Sequence, residues 1–359
     1  MRLWIDVREA CRARKTGKGQ WTLRCVTALL ERADVRVTLL TDEDIPAAWK
    51  TLPGFADVRT LSNGMRWHLA AWKLLRKEQK NVDAYLAPTS FIVPFLIGKT
   101  VPTICVVHDL IAFRNEPHDR KATMIERMTL PRALRMAKAV CTVSDATANA
   151  LREKFGSHVC SVTVGAGPTI DPASPSFAEA STWTGGGNHI LCIGTLCPRK
   201  NQLRLIKAFA SLPSSVRGDI VLKLVGGRGW QDDDIVRAAK ETDGVEWLGF
   251  QDDASCRELL RTCTAFALLS EEEGFGLPLL DAMTVGAPLL ASDIPVFHEV
   301  AGDAAVYADP KDVKAIAEGI TRVLTDDSSE CRAIGKARST MFSWQKTAEA
   351  VLRSCAGAR

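Results

Sequence analysis

The stretch LLSEEEGFGLPLLDAMTVGAPLLASDIPVFHEV, Leu268–Val300, changes its hydrophobic period twice within thirty-three residues. The run Ala265–Leu269 entering it is short and apolar, which predicts a buried strand. Glu271–Gly276 follows as a loop, and Pro278 stands where proline favours the first turn of a helix. A helix is expected over Pro278–Thr284 and another strand over Pro288–Ala291. Strand, loop, helix and strand in that order form one step of a parallel sheet covered by helices. Gly274 and Gly276 let the backbone turn sharply and approach a ligand, and free N–H groups at the helix start suit an anion such as a diphosphate. Glu273 precedes the turn and Asp281 lies about one turn inside the helix, so both carboxylates can reach one strand-end crevice and accept hydrogen bonds from sugar hydroxyls. On these residues alone, a turn shaped by its glycines explains the segment equally well.

The same rhythm extends in both directions. In the second half, strands are expected at Ile190–Gly194, Ile220–Val225 and Val245–Leu248. Helices are expected at Gln202–Leu212, Asp233–Glu241, Ser255–Arg261, Val313–Leu324 and Trp344–Cys355. In the first half, strands are expected at Arg2–Val7, Val35–Thr41, Ala84–Leu86, Thr103–Val107, Ala139–Val143 and Val159–Val164. The helices between them are Gln20–Glu31, Met65–Lys80, Arg120–Ala137 and Ala146–Phe155. Gly165–His189 carries GAGP, DPASPS and TGGGN with no surviving period, and reads as a linker. The fold class is therefore α/β, with two doubly wound Rossmann-like domains facing across a cleft. The domains are expected at 1–170 and 189–342, with a linker at 171–188 and a C-terminal helix over 343–359. Doubly wound sheets bind ligands beyond the carboxyl ends of their strands.

Composition narrows the function classes. With 359 residues, 46% hydrophobic and 25% charged, the chain has the balance of a water-soluble protein large enough for two cores. No apolar run reaches the roughly 18–20 residues needed to span a bilayer. The opening MRLWIDVREA has no signal-peptide layout, which predicts a cytoplasmic protein. The 11 cysteines include no CxxC pair and are expected as free thiols. Residues 1–180 hold 26 Lys/Arg against 18 Asp/Glu, and the remainder 20 against 24. The basic first half suits an anionic partner, such as a membrane surface or a lipid-phosphate acceptor, as well as it suits a plain solvated surface. Arg120, Lys121, Arg127, Arg132, Arg135 and Lys138 lie in one helical region without interleaved aromatics, which argues against nucleic acid and fits peripheral membrane contact better.

The segment EGFGLPLLDAMTVGAPLLASDIP resembles the donor-site signature of glycosyltransferase family 4, retaining enzymes of the GT-B fold. That signature places two glutamates around GFGLP with seven residues between them. The resemblance implies that Glu273 contacts the transferred sugar, that the backbone of Gly274, Phe275, Gly276 and Leu277 holds sugar and phosphates, and that position 281 binds the ribose. Here the chain departs from the family: Asp281 keeps the charge on a side chain one methylene shorter, so either the ribose contact is lost or the helix sits closer. CIGTLCPRKNQLRLIKAF, Cys192–Phe209, is similar to the family's GxLxPRKN loop. It implies donor contacts by Gly194, with Arg199 and Lys200 neutralising the phosphates.

Three first-half segments extend the likeness. RKTGKGQWTLR resembles the family's glycine-rich loop, implying close backbone approach at Gly17 and Gly19. VVHDLIAFRNEP places His108 after a strand, where the family has a histidine facing the sugar. TVSDATANALREKFG is similar to VSEAT, with Ser144 structural or acceptor-side and Asp145 or Thr147 able to cap the helix. WLGFQDDASCRELL resembles the loop lying against the nucleobase, with Gly249 and Phe250 its nearest candidates. Gly226, Gly227 and Gly229 follow a strand and fit either donor approach or a plain turn.

The resemblance implies a retaining hexosyltransferase taking its sugar from a nucleotide-diphosphate donor, with GDP-mannose favoured. The acceptor would be a saccharide or lipid-linked saccharide of surface polysaccharide synthesis. The expected catalytic group is Glu273, His108, Lys200 and Arg199, with no cofactor and no essential metal. Asp232–Asp234 offers a DxD pattern for a metal-dependent alternative, but it opens a helix, where acidic residues commonly stand. A phosphorylase or epimerase of similar shape, and a sugar-binding protein with a decayed site, are the competing classes.

Overall fold

The computed structural model describes residues 1–62, 64–114, 120–170 and 183–357. The chain divides into two compact units, Met1–Gly167 with Ser343–Arg359, and Pro168–Phe342. Of the linker expected at 171–188, residues 171–182 lie outside the described residues.

The first unit is built on a seven-stranded parallel sheet of order β3-β2-β1-β4-β5-β6-β7. The strands are β1 Arg2–Asp6, β2 Arg36–Thr41, β3 Phe55–Thr60, β4 Ala84–Ala87, β5 Thr103–Val107, β6 Ala139–Thr142 and β7 Val162–Thr163. The central strands β4, β5 and β6 are buried along their whole length. Such continuous apolar runs are what a sheet covered on both faces requires. The order reverses between β1 and β4, which sets a crevice at their carboxyl ends. The sequence reading has no counterpart for β3. Its residues FADVRT are half-buried or exposed, as an edge strand permits, and so carry no apolar run. The Trp344–Gly357 helix closes this unit: Trp344 packs edge-on against Trp21, 6.3 Å between ring centroids. Trp21 Nε1 donates to the Gly165 carbonyl at 2.9 Å. A Cβ at Gly167 would lie 2.7 Å from the Trp344 nitrogen, so only glycine lets the backbones meet.

The second unit has a six-stranded parallel sheet, β10-β9-β8-β11-β12-β13. Its strands are β8 His189–Ile193, β9 Val221–Val225, β10 Val245–Trp247, β11 Ala265–Leu268, β12 Leu289–Ser292 and β13 Val306–Ala308. The last, three residues at the sheet edge, also lies beyond the sequence reading. Ile190, Leu205, Phe209, Leu222, Ala265 and Ile320 meet in one core beneath the helices. The strand order reverses between β8 and β11, and the two motif loops leave the sheet at that reversal. All 11 cysteines are free.

Candidate functional site

The reversal point of the second sheet gathers the motif residues. After β8 the chain turns through a 3-10 helix, Pro198–Lys200, and Asn201 takes a left-handed conformation with φ of 62°. Asparagine tolerates that conformation better than most residues, and its Nδ2 donates to the Pro310 carbonyl at 2.7 Å. The helix Gln202–Ala210 starts there, leaving Arg199 and Lys200 on the turn that faces the β11 loop. The Glu271 N–H donates to the Arg199 carbonyl at 2.8 Å, tying the two loops together.

Glu273 sits in that junction with one-tenth of its side chain exposed. Lys200 Nζ pairs with its Oε1, and Arg199 Nη1 lies 3.2 Å from its Oε2. Ser270 Oγ donates to Oε1 at 2.8 Å. Arg199 also donates to the Glu272 carbonyl. Burial opposes ionisation of Glu273, but the Lys200 and Arg199 charges outweigh it and hold the carboxyl at about 2. The group is a fixed carboxylate at any physiological pH. Two cations thus face this one carboxylate, while Arg204 pairs with Glu271 beside it. The lysine stem passes over Gly194, 3.5 Å from where a Cβ would stand.

The loops on either side depend on glycine. A Cβ at Gly226, φ 148°, would fall 2.1 Å from the Gly194 carbonyl oxygen, so the β9 loop passes directly over the β8 loop. The Gly226 N–H donates to the Gly249 carbonyl at 2.8 Å, joining the β10 loop to the same edge. Gly249 has φ of 68°, and Phe250 beside it is 51% exposed. Gly276 caps the Leu277–Val285 helix from the left-handed region at φ 97°, with Pro278 in the first turn and no side-chain cap among the described residues. Phe275 is buried and packs edge-on against Phe342, centroids 5.7 Å apart. Only its backbone remains to serve a ligand.

Asp281 has another engagement. It is buried, and its Oδ1 accepts the Thr169 N–H at 2.6 Å and the Ile170 N–H at 3.3 Å, while Oδ2 accepts the Thr169 hydroxyl. The shorter side chain thus holds the segment that opens this unit. The expected ribose contact would have to compete with those bonds. Asp232 is likewise committed: Arg228 grips both its oxygens at 2.7 and 3.0 Å, and the Gly229 N–H donates to it at 3.1 Å. It stands at the N-cap position of the Asp233–Glu241 helix, yet its oxygens hold the preceding loop and, among the described residues, make no cap bond to the helix. No group of three or more metal-ligating side chains occurs among the described residues.

In the first unit, His108 is half-buried just after β5. Its Nε2–H donates to the Pro88 carbonyl at 2.8 Å, which leaves Nδ1 as the acceptor nitrogen. Burial, reinforced by Lys18, lowers its pKa to about 4, so the ring is neutral near pH 7. The two glycines of the TGKG loop differ. A Cβ at Gly17 would meet nothing within 4 Å, whereas at Gly19 it would lie 2.6 Å from the Glu9 carbonyl. The Gly19 N–H is already capped by Thr16 Oγ1 at 3.3 Å. Gly19 therefore serves helix packing, and Gly17 alone presents open backbone. Ser144 is itself the cap of the Asp145–Phe155 helix, accepting the Thr147 N–H at 3.0 Å, in place of the expected Asp145 or Thr147.

Several participants were not legible in the sequence. Ser270 gave no signal beyond its place before three glutamates. Arg204, which pairs with Glu271, lies one helical turn past the PRK triplet, a spacing that could have revealed it. Lys18 reaches Asp109 at 3.1 Å across ninety residues of chain, and nothing local announces that pair.

Comparisons with known proteins agree with this geometry. Residues 175–340 match the family model described as Glycosyl transferases group 1, and residues 20–164 match Glycosyltransferase Family 4. The chain is 32% identical over 271 residues to O-antigen chain mannosyltransferase B of Escherichia coli, covering 71% of this chain and 70% of that protein. It is 27% identical to O-antigen chain mannosyltransferase RfbU of Salmonella typhimurium, over 86% of this chain and 88% of the relative. Serotype-specific mannosyltransferase WbdA of Escherichia coli is 30% identical over 68% of this chain, a match that spans 32% of WbdA. Among solved structures, Anabaena HepE in complex with UDP and glucose superposes with a TM-score of 0.72 at 19% identity, over 99% of each chain. WaaG, a glycosyltransferase of lipopolysaccharide biosynthesis, gives 0.70 at 15% identity, over 97% of this chain and 98% of that one. With two parallel-sheet α/β units of the GT-B fold and this set of relatives, the chain belongs to glycosyltransferase family 4 and is a hexosyltransferase.

Proposed function

We propose that this glycosyltransferase moves a hexose, with retention of anomeric configuration, from a GDP-mannose-type donor to a saccharide or lipid-linked saccharide acceptor in surface polysaccharide synthesis. The observation that carries the reading is Glu273, held ionised between Lys200 and Arg199 at the reversal point of the second sheet. A carboxylate so fixed can accept hydrogen bonds from sugar hydroxyls, while the surplus cation and the uncapped helix start at Gly276–Leu277 stabilise charge on a departing diphosphate. The bond from the anomeric carbon to the diphosphate breaks as the bond to the acceptor oxygen forms on the same face. The acceptor's proton passes to the diphosphate oxygen. His108, neutral with its Nδ1 an acceptor, orients the sugar by hydrogen bonding without serving as an acid. No metal ion is needed in this scheme, since the cations are side chains. Mannosyltransferases among the relatives favour mannose as the sugar. A thermal-shift screen of nucleotide sugars, followed by transfer from GDP-mannose in the presence of a chelator and NMR of the product linkage, tests the proposal. A β-linked product from the α-donor, or transfer abolished by the chelator, overturns it.

Membrane contact rests on a separate observation. The Arg120–Met136 helix exposes Met124 (57%) and Met128 (64%), one turn apart, among the basic residues of the same region. Apolar side chains flanked by cations suit the interface of an anionic bilayer. No helix among the described residues is long and apolar enough to cross a membrane. Flotation with phosphatidylglycerol vesicles but not with neutral vesicles, lost in M124D/M128D, is the expected result.

A further inference from the structure

The reversal point of the first sheet holds a second constellation, assembled from residues that no motif marks. Asp6 is the last residue of β1 and is buried at 3% exposure. It takes Arg8 in a two-pronged pair, Nε to Oδ1 at 3.0 Å and Nη2 to Oδ2 at 2.8 Å. The Arg8 guanidinium lies over the fully buried Trp67 ring, 3.6 Å from its centroid. His68 Nε2 stands 3.2 Å from Nη2 and accepts from it. Ser90, three residues past β4, reaches the same His68 nitrogen at 3.4 Å. Arg8 is thus set between the chain leaving β1 and the chain leaving β4, which is where the strand order reverses.

A guanidinium has five N–H groups. Here Nε and Nη2 are taken and the plane is covered, but the two N–H groups of Nη1 make no hydrogen bond among the described residues. Nη1 is also absent from the buried side-chain atoms left without a partner, so the remaining exposure of this side chain, 12%, reaches it. The result is a pair of diverging donors on one immobilised nitrogen that keeps some exposure. Its charge, however, is already cancelled by Asp6. Two further cations of this unit are paired as well. Lys18 pairs with Asp109, and Arg12 faces both Asp42 and Glu43. Donors without net charge match neutral hydroxyl oxygens and hold no special attraction for phosphate or carboxylate.

We infer that this crevice is the acceptor subsite, with Arg8 Nη1 anchoring adjacent hydroxyls of a neutral sugar and the Asp6 pairing excluding acidic or phosphorylated sugars. The inference rests on the glycosyltransfer reading above and adds the chemical class of the acceptor terminus. Arg8 is in this view a specificity-determining residue and stands apart from the donor machinery of the second unit.

The test uses the full chain with octyl glycosides of mannose, galactose and N-acetylglucosamine as neutral probes, and octyl mannoside 6-phosphate as the acidic one. Saturation-transfer NMR without donor is expected to show at least one neutral probe bound and the phosphorylated probe unbound. In R8M the KM for the bound neutral probe should rise at least tenfold, while kcat and the slow hydrolysis of GDP-mannose by water stay within twofold. D6N frees the Arg8 charge and should admit the phosphorylated probe. Because R8M leaves Asp6 buried and unpaired, D6N/R8M, which removes both charges, serves if R8M does not fold. Unchanged KM in either folded variant, equal losses in hydrolysis and transfer, or no saturation transfer to any neutral probe overturns the inference. Failure of the donor reading looks different: no nucleotide sugar is bound or hydrolysed, while the glycoside NMR still reports on Arg8.

Discussion

The two sheets reverse their strand order in the same way, yet the crevices so formed are charged differently. In the second unit one carboxylate, Glu273, answers two cations, Arg199 and Lys200. In the first unit Asp6 answers Arg8 and Asp109 answers Lys18, one to one. An uncancelled cation in a partly dry crevice attracts a diphosphate by several kcal/mol, on the order of 4 kcal/mol at 4 Å for an effective dielectric of 20. A cancelled one retains its hydrogen bonds and loses most of that field. The same architecture can therefore present one face to an anionic donor and the other to a neutral partner, with the distinction carried by a single carboxylate more or less.

The largest effect should come from breaking the charge excess in the second unit. Lys200→Ala removes the cation nearest Glu273, and kcat is expected to fall by about a hundredfold to a thousandfold, the usual cost of losing one preorganised group that stabilises developing charge. Steady-state kinetics with GDP-mannose checks it. A Lys200→Ala enzyme with unchanged turnover would falsify the assignment of the leaving-group role. Next comes Glu273→Gln, which retains the shape and removes the anion. Two buried cations are then left facing each other, and breaking such a cluster costs about 3–5 kcal/mol. Both the urea midpoint and kcat should drop. Loss of stability without loss of kcat would make Glu273 a purely structural counter-ion.

How readily each crevice could be read follows from how it is assembled. The proposed donor side lies in two unbroken segments, Cys192–Phe209 and Leu268–Val300, where loop glycines, a helix-start proline and adjacent cations carry their own local reasons. The first-unit crevice draws on residues 6, 8, 18, 68, 90 and 109, each alone an ordinary surface or core residue. No period or spacing links Arg8 to His68. His68 lies on the Met65–Lys77 helix, and only the packing of that helix beside the end of β1 brings them together. The edge strand Phe55–Thr60 was hidden because, half-buried or exposed throughout, it carries no continuous apolar run, and Val306–Ala308, though apolar, is only three residues long. The phenylalanine of the GFGLP turn shows the opposite error of reading. Phe275 falls within the motif, yet its ring belongs to the core against Phe342.

Asp281 sharpens the comparison further, because it is the motif residue whose side chain the chain itself occupies. Asp281→Asn weakens the charge-assisted bonds to Thr169 and Ile170, and should lower unfolding stability by about 1–3 kcal/mol. Nucleotide affinity should change less than tenfold. If calorimetry instead shows a larger loss of GDP affinity with unchanged stability, the carboxylate releases Thr169 and turns to the ribose on binding.

The smallest effect concerns pH, and it again separates the two units. Glu273 has its pKa depressed to about 2, so the stability it contributes is complete above the ordinary carboxylate range and is lost only as pH falls from there towards 2. His108 behaves in the opposite sense. Its folded pKa, lowered to about 4 by burial and then by Lys18, lies below the value near 6.5 of an unfolded histidine. Between those values the unfolded chain binds the extra proton, so stability rises with pH across that window and is level above it. His68, also lowered to about 4 by burial and by Arg8, adds a slope of the same sign. His108→Asn should therefore reduce, but not abolish, the rise in unfolding free energy between pH 4.5 and 6.5, leaving the curve above pH 7 parallel to wild type. A wild-type slope retained in full would mean that His108 titrates in the folded chain as it does unfolded and is protonated below about 6.5. Below that pH the ring would add a positive charge to the first crevice, and the contrast between the two crevices would hold only above it.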